Sequence, residues 1–253
     1  MPVPEYRVIG ITGIPIVKPG DDLAAQMVNA AKAQGTPLQS GDVLVVTQKI
    51  VSKAENRLVS LKTVTPSPFA VEVASQWPGK DARLVELVLR ESKRIVRMDH
   101  GVVITETKHG FVCANSGIDQ SNIEGDEVVA LLPEDSDKSA ARIRAEILRT
   151  TGADLAVVIS DTFGRPWRVG YTNVAIGLSG MNPLADYRGQ VDHAGFELKV
   201  TVLAIADELC SATEPVMGKV DKVPAAIVRG YAYQPGEYGI ATSLREASQD
   251  MFR

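Results

Sequence analysis

A chain of 253 residues with 45% hydrophobic side chains is long enough to bury a substantial core, as one large domain or two small ones. Its net charge of −4 gives no global positive field for nucleic acid or an anionic membrane. No apolar stretch approaches the roughly 20 residues needed to span a bilayer, and Met1-Pro2-Val3-Pro4-Glu5-Tyr6 lacks the basic and apolar regions of a secretory signal, so the cytoplasm is expected.

Residues 6–11 read as a first strand, and 13–20 as a stiff loop in which Pro15 and Pro19 remove backbone donors. Asp21 and Asp22 cap a helix to about residue 33, with Leu23, Met27, Ala30 and Ala31 on one face. Residues 42–46 form a buried strand, whose continuation over 47–57 turns abruptly polar and carries Lys49 and Lys53. Lysines there are either a solvated face or, for Lys53, a point charge reaching a phosphate. Beyond Pro66 and Pro68, residues 69–76 and 81–92 predict two helices, the second capped by Asp81 and apolar at Leu84, Val85, Val88 and Leu89. Residues 102–107 and 111–114 alternate around Lys108-His109-Gly110, a hairpin that presents Asp119 at its exit.

Asp135-Ser136-Asp137 caps a helix to about residue 150, with Arg142, Arg144 and Arg149 facing solvent and Gly152 as the stop. Residues 155–159 form a buried strand that ends on Ser160-Asp161, and 173–180 are small and apolar, so backbone packs closely there. Residues 197–210 mix strand alternation with helical spacing, and periodicity leaves both open. A charged loop over 217–224 precedes a strand at 225–228. Strands and helices neither alternate regularly nor segregate cleanly, which favours an α+β architecture of mixed, largely antiparallel sheets with packed helices over a doubly wound sheet.

Cys113 and Cys210 sit among apolar and small residues, which argues for buried thiols and against a disulfide scaffold or structural zinc. A catalytic cysteine wants a histidine beside it; His109 lies four residues before Cys113, but the hairpin turn explains it better. His100, His109 and His193 lack metal-ligand spacing.

The chemistry gathers in two segments. In Ser160-Asp161-Thr162-Phe163-Gly164-Arg165-Pro166-Trp167-Arg168, oxygen side chains are followed by two guanidinium groups. Hard cations such as Mg²⁺ or Mn²⁺ prefer carboxylate and hydroxyl oxygens, and arginine matches phosphate with a planar fork of donors. Asp161 with Thr162 would hold metal and Arg165 or Arg168 phosphate; the plainer reading is that Asp161 caps a turn. In Asn115-Ser116-Gly117-Ile118-Asp119-Gln120-Ser121-Asn122, Asp119 and Asn122 are the candidates, with an Asx turn as the plainer reading. Two carboxylates on separate segments are more telling than either alone, because a cation bridging phosphates draws its ligands from different elements. Neither the Walker phosphate loop nor a dinucleotide-binding glycine pattern occurs.

Together with Gly13-Ile14-Pro15-Ile16, Val51-Ser52-Lys53-Ala54-Glu55, Ala206-Asp207-Glu208 and Val216-Met217-Gly218, in this order, these segments resemble the coenzyme F420-0:L-glutamate ligase family over nearly the whole chain. The resemblance extends to the ligase half of the two-domain actinobacterial form. It implies an F420-ligase-like fold and a GTP-dependent amide ligase that adds L-glutamate to the deazaflavin F420-0, then further glutamates by γ-linkage. Mg²⁺ or Mn²⁺, two ions per site, and K⁺ as a helper are the implied cations, and an intertwined homodimer the implied assembly.

By the same resemblance, Asp119 and Asp161 would ligate one metal and Thr162 a second, with Asp119, Asp161 and Arg165 as the catalytic set. Lys53, Asn122 and the backbone of Ile14, Pro15, Ile16 and Val17 would contact GTP, and the Met217-Gly218 loop would close over it. One departure stands out: archaeal members typically carry an acidic metal ligand after Met-Gly, where this chain has Lys219, as the bacterial two-domain form does. An ammonium cannot ligate a cation. Trp167 and Arg168 join Arg165 as candidate substrate contacts, with a core role for Trp167 equally open. The expectation is a single catalytic unit over 1–253, in one piece or two intertwined lobes, without the flavin-reductase-like second domain. The competing readings are a ligase of the same fold acting on another carboxylate and a noncatalytic GTP-binding subunit.

Overall fold

The computed structural model describes residues 3–121, 123, 125 and 127–250. β1 (Arg7–Gly10) leads through the proline-bearing loop to α1 (Leu23–Ala33), then β2 (Val43–Thr47) and, without a break, α2 (Gln48–Ala54). β3 (Leu58–Ser60), α3 (Pro68–Ser75) and α4 (Ala82–Arg90) precede three strands, β4 (Ser92–Asp99), β5 (Val102–Thr107) and β6 (Val112–Ala114). β7 (Val128–Ala130) and α5 (Ser136–Thr151) lead to the long hairpin of β8 (Ala156–Arg165) and β9 (Arg168–Ser179). The short pair β10 (Ala185–Asp186) and β11 (Val202–Leu203), then α6 (Ile205–Met217) and β12 (Ala225–Arg229), follow.

The largest sheet has the order β1-β12-β2-β8-β9, antiparallel except for the parallel pair β2 and β8. In β2, β8 and β12, four consecutive residues each (Val43 to Val46, Ala156 to Ile159, Ala225 to Val228) are buried. A strand buried at odd and even positions alike has both faces covered, which is why these segments read as unbroken apolar runs. α5 packs on β8, β9 and α1, and α6 on β9, β1 and β12. The smaller sheets are β4-β5-β6, β3-β7 and β10-β11. A satellite core of Ala70, Val73, Ala74, Val85, Val88 and Val103 joins α3 and α4 to β5. The α+β class with mostly antiparallel sheets holds.

Local chemistry sets the helix starts. Asp22 accepts the Ala25 N–H at 3.0 Å and Asp135 the Lys138 N–H at 3.0 Å, while Gly152 ends α5 with a left-handed φ of 75°. Asp21 does not share the cap; it turns back to accept the Lys18 N–H at 2.8 Å.

Several expectations need correction. β8 does not end at Ser160 but runs to Arg165: the strand leaves the core there without leaving the sheet, since β9 continues beside it. Residues 92–99 form a strand paired with β5, where helix was expected as far as 92. In the ambiguous stretch 197–210, residues 197–201 are irregular, 202–203 form β11 and 205 onward begins α6. Arg144 is not solvent-facing; it donates to Leu155 O at 2.9 Å and pairs with Asp154 at 2.8 Å. Trp167 is 83% exposed at the hairpin tip, which removes its core role. No helix among the described residues is long and apolar enough to cross a membrane.

Candidate active site

The parallel pairing of β2 with β8 sets Thr47 opposite Ser160, so the carboxyl ends of both strands finish their apolar stretches at one level. Ligands of open sheets gather beyond such ends. From β2 the chain passes directly into α2, whose second residue is Lys49; from β8 it continues to Asp161 and Thr162.

Asp119 arrives from the other sheet. After β6, Asn115, Ser116 and Gly117 all take positive φ values of 50°, 54° and 71°. This costly backbone is held by the buried Ser116 hydroxyl, which bonds Val88 O at 2.9 Å and lies 2.7 Å from Thr105 Oγ1. Asp119 is then fixed by a backbone pair with Ala130, N–H to O at 3.1 Å and back at 2.8 Å.

The Asp119 side chain satisfies two readings at once. Oδ1 accepts the Ser121 N–H at 2.7 Å, an Asx-type turn, while Oδ2 faces Lys49 Nζ at 2.6 Å. Lys49 also donates to Ser121 Oγ at 2.7 Å. Burial alone would raise the Asp119 carboxyl, but the hydrogen bonds from Lys49 and Ser121 outweigh it and hold it below the ordinary range.

Asp161 behaves oppositely. Burial pushes its carboxyl up to about 6, and the nearby negative charge of Asp119 adds to this, against the Thr162 N–H and the charges of Lys49 and Lys219. The charge of Asp119 thus bears on Asp161, and because Asp161 lies inside a strand the turn-cap reading falls. Cys113 stands near the same group: burial, then the charge of Asp161, push its thiol up to about 12, which removes it as a nucleophile.

A closed ring of polar groups is built on the next residue of the strand, Thr162. Lys219 Nζ donates to Thr162 Oγ1 at 2.6 Å, and the Thr162 hydroxyl donates to Asn173 Oδ1 at 2.8 Å. Asn173 Nδ2 donates to Glu214 Oε2 at 2.7 Å, and Glu214 Oε1 lies 3.3 Å from Lys219 Nζ. Among the described residues, no group of three or more His, Cys, Asp or Glu gathers that could hold a metal. A pair of carboxylates with an adjacent hydroxyl fits a hard divalent cation that completes its shell with phosphate and water. It lacks the histidine and cysteine ligands that zinc sites favour.

Ile14 is half-buried, Pro15 and Ile16 are exposed and Val17 is buried; their loop is tied to the end of α2 by the Gly20 N–H to Ala54 O bond at 2.8 Å, which brings it beside half-buried Lys53. Met217 is buried at the end of α6, and Gly218 has a φ of 60°, with the Asp221 carboxylate occupying the place a Cβ would take. Asn122 lies outside the described residues. Arg165 is engaged by the hairpin tip, donating to Val169 O at 2.8 Å and Gly170 O at 3.3 Å. The structure thus brings Asp119, Asp161 and Thr162 together with Lys49 and Lys219, and engages Arg165 elsewhere.

Sequence reasoning did not single out Lys49, Asn173 or Glu214. For Lys49 the available signal was its place in the polar break immediately after a buried strand. A groove of about 860 Å³ between α1 and α5 is a separate feature, lined by Asp21, Glu55, Arg142 and Arg149 rather than by the site carboxylates. Its arginines are already paired, Arg142 with Glu55 and Arg149 with Glu146.

Residues 12–230 match the family model described as F420-0:Gamma-glutamyl ligase. The chain is 44% identical to the coenzyme F420:L-glutamate ligase of Methanothermobacter thermautotrophicus, covering 97% of this chain and 98% of that protein. It is 45% identical to the enzyme of the same name from Methanopyrus kandleri, over 94% and 93% of the two chains. For that from Methanocaldococcus jannaschii the identity is 40%, over 99% of each. Matches of this extent, along both lengths, establish that the chain belongs to the F420-0:gamma-glutamyl ligase family.

Proposed function

We propose that this chain is a GTP-dependent amide ligase that joins L-glutamate to the lactyl carboxylate of F420-0 and then adds further glutamates by γ-linkage. The observation that carries the reading is the pair Asp119 and Asp161, gathered from two sheets beside Thr162 and flanked by Lys49 and Lys219. Relatives named for this ligation share the chain nearly end to end.

A carboxylate is a poor electrophile. Its oxygen would first attack the γ-phosphorus of GTP, the bond to the β-phosphate oxygen breaking to release GDP and leave an acyl phosphate. The amine of glutamate would then attack the acyl carbon; phosphate departs with the bonding pair and the amine loses its proton to solvent. Such transfers are governed by positioning and charge neutralisation, which explains why no activated nucleophile is needed. Asp119 and Asp161 would hold one Mg²⁺ or Mn²⁺ and Thr162 a second, which when bound neutralise and align the phosphates. The ammonium of Lys219, already on Thr162, would add its charge to the phosphates at that second position. Lys53, Asn122 and the 14–17 backbone would grip the nucleotide, with Met217-Gly218 closing over it, K⁺ as a further cation and Arg165 bracing the hairpin or meeting substrate.

The chain would work in the cytoplasm as one catalytic unit and as a homodimer. Val169 is 97% exposed, Tyr171 79% and Trp167 83% on the β8-β9 hairpin, an apolar projection suited to a second copy. Sedimentation at twice the chain mass is expected, and a monomer at micromolar concentration would contradict the assembly. The chemistry is tested by incubating the protein with GTP, Mn²⁺, L-glutamate and F420-0: the expected product is heavier by one glutamyl unit, with GDP released. GDP release only with another carboxylate acceptor would reassign the substrate, and no GDP release with any acceptor would contradict the reading.

A further inference from the structure

Lys49 is not an ordinary surface lysine. Its side chain is 17% exposed, its Nζ lies 2.6 Å from Asp119 Oδ2 and 2.7 Å from Ser121 Oγ, and its charge reaches Asp161 as well. Chain geometry puts it there: it leaves the carboxyl end of β2 beside the point where β8 brings in Asp161. It is thus a built-in monovalent counter-ion to both carboxylates.

An ammonium offers three donors and no lone pair, so it cannot join a cation's coordination shell. It can only compete for the same carboxylate oxygen or retreat from the like charge. Without Lys49, the charge on Asp119 Oδ2 would lose this counter-ion while still bearing on Asp161, and the strained turn that delivers Asp119 would lose this side-chain anchor on α2.

We propose that Lys49 is an exchangeable counter-ion of the Asp119–Asp161 pair, holding Asp119 in position in the cation-free protein and yielding it to the divalent cation. Displaced from Asp119, its ammonium is left for the anionic oxygens of the phosphate donor. The exchange makes Lys49 a positioning residue with two opposed effects: it weakens binding of the bare cation and supports transfer of the phosphoryl group. The inference rests on the ligase reading above, because it takes the two carboxylates as the cation's ligands.

The test is a titration of the full-length protein with Mn²⁺ alone, read from the electron paramagnetic resonance signal of free Mn²⁺, for wild type and Lys49→Met. The variant is expected to bind Mn²⁺ at least about fivefold more tightly, while its kcat in the complete reaction falls at least about tenfold. Lys49→Gln, which keeps a shorter neutral donor, should show the same pair of shifts and serves if Lys49→Met does not fold. Equal or weaker Mn²⁺ binding by the folded variants overturns the exchange and leaves the metal site standing. No Mn²⁺ binding by wild type at millimolar concentration overturns both the exchange and the site, and an unchanged kcat overturns the role toward phosphate.

Discussion

At neutral pH Asp161 has to carry its charge where burial resists it and where the charge of Asp119 adds to the resistance. Its carboxyl sits at about 6 in the fold, against an ordinary value of 3.8, so the native state holds the proton more tightly than the unfolded chain does. Ionisation therefore subtracts from stability above pH 6, on the order of 3 kcal/mol; the loss fades as pH falls through about 6 and is absent below about 4. Asp161→Asn should accordingly raise the thermal midpoint of the metal-free protein at pH 7.5, with the gain gone by pH 4. Mn²⁺ should stabilise wild type and leave the variant unmoved, and turnover should drop by orders of magnitude. A variant less stable than wild type at pH 7.5 would show that Asp161 is a structural group and not a strained ligand.

The elements that hold the site meet with little room to spare. β9 crosses the start of α5 so closely that a Cβ on Gly177 would run into the Ser136 backbone. Beside it, Asp137 of α5 accepts the N–H groups of Leu178 at 2.8 Å and Ile240 at 3.0 Å, locking helix, strand and the turn at Ile240–Ser243. Gly177→Ala should cost about 1–3 kcal/mol, measured as a lower denaturant midpoint, because backbone cannot step aside as a flexible side chain can. An unchanged midpoint would mean that β9 is free to slide over α5. The helix starts were legible because the signal is local: Asp22, Asp81 and Asp135 cap helices from within their own turns. The run of β8 beyond Ser160 was not, because its apolar pattern ends with the core while its hydrogen bonds to β9 continue. β4 was hidden for a similar reason: its residues Ser92–Asp99 are half-buried or exposed on an edge of the β4-β5-β6 sheet and show no clean alternation.

Across the whole molecule, the candidate site is a meeting of distant segments. Asp119 comes from the exit of the β4-β5-β6 sheet, Asp161 and Thr162 from the five-stranded sheet, Lys49 from α2 and Lys219 from the loop after α6. The residue types of Asp119 and Asp161 could be read in the sequence, since carboxylates after apolar runs are visible one segment at a time. The importance of Lys49 could not, because it depends on the parallel pairing of β2 with β8, which no local pattern reveals. The family's long motifs supplied what spacing could not, namely the order in which these segments belong together. In a crystal of the full chain grown with GDP and Mn²⁺, the anomalous scattering of manganese locates the cation. A peak is expected within roughly 2.0–2.3 Å of a carboxylate oxygen of Asp119 and one of Asp161, beside the diphosphate; manganese bound elsewhere, or held by only one of the two carboxylates, would overturn the shared metal site.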